Sequence, residues 1–311
     1  MRTIVMTGGT SGFGALAAQR LRRTADTRLI LGARRAAAGE TIPLDLTELA
    51  SVQAFATEVH KRLDGTAVDA LVLNAGVIRP DADGRTVDGV ETTFAVNHLA
   101  PYLLLRLLLP VLGDRGVVVL TTSGTHDPAT GAGLTPPRHA DAERLAHPDQ
   151  DPGLDAQPGS AGQHAYTASK LCALLIAGAL SERPEARERR VTAVAYCPGQ
   201  VFGTGLARDL PWRWRVAWSA LGSPLGWPLR RINRNLNSRA AAANALADLA
   251  LGVVAPPEGQ VYAALRGGHL TWPEPSELAH SDTLARALWT DSARIAGLPT
   301  TSDCFALPET S

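Results

Sequence analysis

With 311 residues, the chain is long enough for one large α/β domain or one domain carrying an insertion. Hydrophobic residues make up 45% and charged residues 19%, and 30 basic side chains offset 30 acidic ones. A zero net charge gives no global basic field, which argues against nucleic acid as a partner. The three cysteines, Cys172, Cys197 and Cys304, have neither metal-ligand nor disulfide spacing, so no metal is expected and a reducing, cytoplasmic setting is. No signal peptide precedes the first strand, and no apolar run reads as a bilayer span of ~20 residues.

Short apolar runs alternate with helical stretches along the chain. The strands are expected at Thr3–Thr7, Arg28–Gly32, Ala70–Leu73, Val117–Thr122 and Val191–Cys197, with a shorter one at Gln260–Leu265. The helices are expected at Gly14–Thr24, Leu49–Leu63, Thr92–Leu112, Thr167–Ser181 and Ser238–Leu251. This alternation predicts βαβ units: a doubly wound parallel sheet, of Rossmann type, with helices on both faces. Two stretches break the rhythm. Asp127–Gln163 is rich in Pro, Gly, Asp and His and reads as a long insertion loop with a short helix near Ala140–Ala146. Leu210–Asn237 is dense in Trp and Arg, including Trp212, Trp214, Trp218 and Trp227. The tail from Leu298 is polar and expected to be loosely held.

The first strand runs into Gly8-Gly9-Thr10-Ser11-Gly12-Phe13-Gly14 and then a helix. In that context Gly8 permits a tight turn, Gly12 lets the backbone approach a pyrophosphate, and Gly14 allows close helix–strand packing. The helix N-terminus then offers unpaired N–H groups to the phosphates. The second strand ends in Gly32-Ala33-Arg34-Arg35, without an acid to hold a ribose 2′-hydroxyl. Two guanidinium groups there favour a 2′-phosphate, hence NADPH (NADP+) as cofactor.

Tyr166 and Lys170 stand i and i+4, on one face of a helix. A nearby ammonium favours a phenolate, so Lys170 is expected to lower the tyrosine pKa and make Tyr166 a proton donor and acceptor. Lysine is scarce, with Lys61 the only other one, which makes the pairing less accidental.

The glycine spacing together with Tyr166-x-x-x-Lys170 resembles the short-chain dehydrogenase/reductase family. Other segments match in order. Asp45 and Leu46 resemble the adenine-contacting segment, and Asn74-Ala75-Gly76 the family's Asn-Asn-Ala-Gly, with Leu73 in place of its first Asn. Asn97 falls where the active-site helix carries its Asn, and Ser123 where the strand end carries the catalytic Ser. Pro198, Gly199, Val201 and Thr204 resemble the segment that closes over nicotinamide. The resemblance implies that Tyr166 exchanges a proton with the carbonyl or alcohol oxygen and that Ser123 polarises the carbonyl. Lys170 would also hold the nicotinamide ribose, and Asn97 would keep a kinked helix and a proton relay to Lys170.

Two features set this member apart. Ser123 and Tyr166 are separated by the Asp127–Gln163 insertion, which must lie beside the substrate cleft. Ser123-Gly124-Thr125-His126-Asp127-Pro128 resembles the retinol dehydrogenase and protochlorophyllide reductase branch, although the insertion holds no cysteine. His126 reads as a substrate contact or a structural hydrogen bonder. Residues 202–237 fall where the family places a substrate lid. Their tryptophans suit the wall of an apolar pocket, with a self-association face and then a membrane-surface patch as the alternatives. The expected activity is NADPH-dependent interconversion of a carbonyl and an alcohol on a bulky, largely apolar small molecule, with a homodimer as one arrangement and no membrane needed. A non-catalytic nucleotide sensor on the same fold is the alternative.

Overall fold

A computed structural model describes residues 1–35, 40–202 and 233–299. The lid segment Leu210–Asn237 therefore lies outside the described residues except for its last five, as does Thr204; the tail is described only to Pro299.

Eight strands form one sheet in the order β3-β2-β1-β4-β5-β6-β7-β8. They are β1 Arg2–Thr7, β2 Thr27–Ala33, β3 Thr41–Pro43, β4 Val68–Leu73, β5 Leu112–Thr121, β6 Thr192–Cys197, β7 Tyr262–Arg266 and β8 His269–Thr271. All neighbours run parallel except β7 and β8, an antiparallel hairpin at the edge. The six expected strands are present; β3 and β8, three residues each, are too short to show a period of their own.

The described helices are α1 Gly12–Arg23, α2 Leu49–Leu63, α3 Thr92–Val111, α4 Ala142–Ala146, α5 Pro158–Glu182, α6 Pro184–Glu188, α7 Arg239–Ala250 and α8 Asp282–Ile295. Strand side chains alternate between two cores, as the pleat requires. Ile4, Met6, Val72, Val194 and Tyr196 pack on the α1 and α7 side, while Val5, Leu71, Val118 and Ala195 pack on the α2, α3 and α5 side. Both faces are covered, which is why the strands read as continuous apolar runs.

Three expectations change. The helix bearing Tyr166 begins at Pro158, not Thr167, because Pro158 opens its first turn and the Ala- and Gly-rich residues that follow pack against Arg79–Asp81. The insertion is thus not one loop. Arg138 pairs with Asp151 and Asp155, His139 with Asp151, and Asp141 caps α4. Second, α3 has the length and apolar composition of a membrane span, yet 83% of its window is buried in the fold, so it is a core helix. Third, α8 has no counterpart in the sequence reading. Its buried Ala285, Leu288, Trp289 and Ala293 follow helical spacing and seal the outer face of α3 and α5. Tyr102 of α3 donates to the Trp289 carbonyl at 2.7 Å, and His98 meets Ser292 Oγ at 2.8 Å.

Candidate active site

Parallel register brings the C-terminal ends of the strands to one edge. Thr7 pairs with Leu73, Leu73 with Leu120, and Thr121 with Tyr196. The residues just past those ends are Gly8, Asn74, Thr122 and Ser123, with Cys197 the last residue of β6. Open α/β sheets bind ligands at this edge.

The glycine loop is built by close backbone approach. Gly8 has φ +69°, and a Cβ there would lie 2.6 Å from the Ala75 nitrogen. A Cβ on Gly14 would lie 2.1 Å from the Gly8 oxygen. Asn74 fastens the arrangement: its Nδ2 donates to the Gly8 carbonyl at 3.1 Å, and its Oδ1 accepts from the Thr121 hydroxyl at 3.0 Å. Three strand ends are thereby tied by one amide, while Leu73 is simply buried in the core. Ser11 precedes α1 in extended conformation and its side chain caps nothing, so the first-turn N–H groups face outward without a side-chain acceptor. Thr10 and Ser11 are exposed, and Gly12 and Phe13 half-buried.

Around this loop the other nucleotide candidates fall into place unevenly. Arg34 and Arg35 are exposed at the end of β2, next to residues 36–39, which lie outside the described set. Asp45 is half-buried and its Oδ1 accepts from the Thr47 N–H and hydroxyl; Leu46 is buried. Ala75 and Gly76 line the path from β4 towards Lys170, where a Cβ on Gly76 would sit 3.4 Å from Lys170 Nζ. Pro198 and Val201 are buried, and Gly199 takes φ +72°.

Tyr166, Lys170, Ser123 and Asn97 are brought together. Lys170 Nζ lies 5.6 Å from the Tyr166 ring centre and donates to the Thr121 carbonyl at 3.1 Å. The Thr122 hydroxyl in turn donates to the Lys170 carbonyl at 2.7 Å, docking α5 on the end of β5. Ser123 stands beside the Tyr166 side chain. Pro101 cannot donate to the Asn97 carbonyl four residues earlier, and α3 responds with a π turn over Ala95–Leu99, where the Ala100 N–H reaches Ala95. The Asn97 amide accepts from the Val77 N–H at 2.8 Å and donates to the Val77 carbonyl at 2.9 Å and to Ser169 Oγ at 3.0 Å. A π turn stands where a kinked helix was expected, and Ser169, next to Lys170, is a link with no motif of its own.

One electrostatic expectation is reversed. Burial pushes the Tyr166 phenol up to about 12, against a smaller downward pull from the Ser123 hydroxyl. Burial also pushes the Lys170 ammonium down to about 8. Desolvation therefore outweighs any help from Lys170 in the chain alone, and the phenol is favoured over the phenolate.

Three more residues complete the site. Asn237, buried, donates to the Pro198 carbonyl at 3.1 Å and the Leu265 carbonyl at 2.7 Å, and accepts from the Gly268 N–H at 3.0 Å. With the Gln200–Asn235 and Asn237–Gln200 backbone bonds it joins the two ends of the segment from 203 to 232. His126 is buried behind Ser123, and Cys197 Sγ accepts from the Gly124 N–H at 3.1 Å. Asn237 and Cys197 had no motif to announce them, whereas His126 is the residue read above as a substrate contact or a structural hydrogen bonder. Among the described residues no His/Cys/Asp/Glu cluster suits a metal.

Residues 2–132 match the family model for short chain dehydrogenases. Dehydrogenase/reductase SDR family member 13 of Bos taurus is 30% identical over 96% of this chain and 74% of its own length. The chain is a short-chain dehydrogenase/reductase. This short-chain dehydrogenase/reductase sits in the branch of that protein and the protochlorophyllide reductases. Rice protochlorophyllide reductase A is 33% identical over 66% of this chain, and the match spans 59% of that relative's length. A solved structure from Mycobacterium paratuberculosis superposes with a TM-score of 0.66 at 26% identity, covering 97% of this chain and 95% of that one. The NADPH-bound carbonyl reductase from chicken fatty liver shares the fold at 18% identity and a TM-score of 0.55, over 88% of this chain and 99% of its own.

Proposed function

We propose that this protein is an NADPH-dependent oxidoreductase interconverting a ketone or aldehyde with its alcohol on a bulky, largely apolar small molecule, a secondary metabolite being one candidate. The observation that carries the reading is the buried Tyr166 phenol beside Ser123, with Lys170 one helical turn away on the same face and its Nζ 5.6 Å from the ring centre. A phenol held protonated at neutral pH can give its proton to a carbonyl oxygen as that oxygen gains charge. Ser123 would hold the same oxygen and polarise it. Lys170 stays largely cationic near neutrality and keeps positive charge behind the phenol. Asn97 would fix the floor of the relay through Val77 and Ser169.

The residues present fit a dinucleotide. The Gly8–Gly14 turn admits no side chain at its two tightest points, and the α1 N-terminus has N–H groups to spend on phosphate. Thr10 and Ser11 would add hydroxyl contacts, Asp45 and Leu46 would border the adenine, and Arg34 and Arg35 would pair with a 2′-phosphate. The nicotinamide would supply or accept the hydride. Buried free Cys172 and Cys197 suit a reducing, cytoplasmic setting. A homodimer built on α3 and α5 would first have to displace α8.

The test is a panel of ketones, aldehydes and protochlorophyllide, the last being the compound for which the rice relative is named. NADPH consumption is the readout. Tyr166→Phe should bind nucleotide as wild type does and lose turnover by about 10²–10⁴-fold. Unchanged turnover would refute the acid; absence of turnover across the panel would leave the non-catalytic sensor as the better reading. Titrating NADPH and NADH against wild type and Arg34→Ala checks the cofactor. Tighter binding of NADH by wild type would overturn the preference for NADPH.

A further inference from the structure

Ser123 opens a single tight turn, Gly124–His126, and that turn is held from behind rather than by its own sequence neighbours alone. His126 Nδ1 lies 2.7 Å from the Ser123 carbonyl oxygen. A carbonyl can only accept, so Nδ1 carries the proton. His126 Nε2 lies 3.4 Å from the Ser276 nitrogen, whose N–H can only donate, so Nε2 is bare. The two partners thus select one neutral tautomer. Burial lowers the pKa of the ring, which is 1% exposed and stands edge-on to Tyr262 with centroids 5.1 Å apart. The Tyr262 hydroxyl and the Gly199 N–H face Cys197 Sγ, which also receives the Gly124 N–H. The imidazole and the sulfur therefore hold the two polar ends of one peptide group, Ser123–Gly124, from β6, β7 and the segment before α8.

We propose that His126, backed by Cys197, is a positioning residue that aims the Ser123 hydroxyl at Tyr166. The inference rests on the reading of Ser123 as the carbonyl-polarising hydroxyl. It assigns His126 no contact with substrate. The Nδ1–H bond fixes the Ser123 peptide plane, the Ser276 bond fixes the ring, and the sulfur keeps Gly124 from rotating away. It also makes the C-terminal segment part of the active-site frame, because Ser276 holds the imidazole that holds the serine.

The test has a substrate-free arm and a kinetic arm. In ¹⁵N-histidine-labelled protein, the signals absent from His126→Asn identify His126. They should show a neutral ring protonated at Nδ1; protonation at Nε2 overturns the proposal. In turnover of the best carbonyl in the panel above, Asn at 126 can still donate to the Ser123 carbonyl, whereas Gln places its amide where Nε2 was. His126→Gln and His126→Ala should lose kcat by about 10²-fold with the KM for NADPH unchanged, since misplacing a catalytic group costs that much. His126→Asn should recover most of the loss. Equal losses in Asn and Gln variants that track their melting temperatures would mean a merely structural histidine and overturn the proposal. Ser123→Ala separates the two readings. Wild-type kcat in that variant refutes the role of the serine, whereas a collapse there with no dependence on the His126 donor refutes only the positioning.

Discussion

The nucleotide side and the substrate side of this active site are built by opposite means. From β1 to β4 the decisive residues are glycines, and the geometry comes from backbone approaching backbone, as at Gly8 against Ala75 and Gly14 against Gly8. Beyond β5 the decisive residues are polar side chains that bridge distant stretches: Asn237 to Leu265 and Pro198, His126 to Ser276, Arg138 to Asp151 and Asp155. The first side fails when an atom is added, and the second when a partner is removed. The lesson is that one pocket can join a part with no steric tolerance to a part whose tolerance depends on each buried polar pair being complete.

The sharpest way to break the first side is a single methyl group. Gly14→Ala places a Cβ against a backbone oxygen, where no flexible side chain can yield. Overpacking of this kind costs about 1–3 kcal/mol and here belongs at the upper end. In a chain of this size that lowers Tm by roughly 4–5 °C. Calorimetry and a nucleotide titration should show both the lower Tm and lost nucleotide binding. A normal Tm would mean that the loop relaxes and that the comparison is wrong.

On the second side, Asn237→Ala leaves the Pro198 and Leu265 carbonyls and the Gly268 N–H without their partner. Each buried orphan costs about 1–3 kcal/mol, so urea unfolding should report about 3 kcal/mol lost after partial hydration. Protease should cut first near Pro198–Phe202. A loss below about 0.5 kcal/mol would place the amide among ordinary surface contacts.

The smallest expected effect is pH-dependent. Burial raises the Asp151 carboxyl, but the Gly153 N–H, His139 and Arg138 more than compensate and bring it down to about 2. A depressed carboxylate stabilises the fold fully above its unfolded pKa, near 4, and loses that contribution as pH falls towards 2. The insertion should therefore lose about 2 kcal/mol between pH 4 and pH 2. Hydrogen exchange over 138–155 should accelerate in that window while β1 and β4 stay protected. Asp151→Asn should abolish the difference.

The same contrast explains what the sequence could tell. A glycine loop, a Tyr-x-x-x-Lys pair and continuous apolar strands are local signals, each enforced by sterics or periodicity within a few residues, and they led to the sheet and to Tyr166 and Lys170; Asn97 and Ser123 followed from the family resemblance. Ser276 lies 150 positions from His126, and no local pattern can announce such a contact. The start of α5 is hidden by Gly159 and Gly162 in its first two turns, which mimic a loop until Gly162 is seen to face the backbone of Arg79 and Asp81. The tyrosine pKa was misjudged for a related reason. The i, i+4 spacing reveals the ammonium, whereas the desolvation that outweighs it is a property of the whole fold.

The bridge at Asn237 has an evolutionary consequence. Because Gln200, Asn235 and Asn237 bind the stem, the chain leaves the sheet at Phe202 and re-enters at Asn233 through a fixed doorway. Closure has been arranged by the scaffold, and doubling the length of what hangs from such a stem costs only about 0.6 kcal/mol. The stretch between Phe202 and Asn233 can thus change in length or sequence without disturbing the register of the sheet, because the stem and not the stretch itself holds the two ends together.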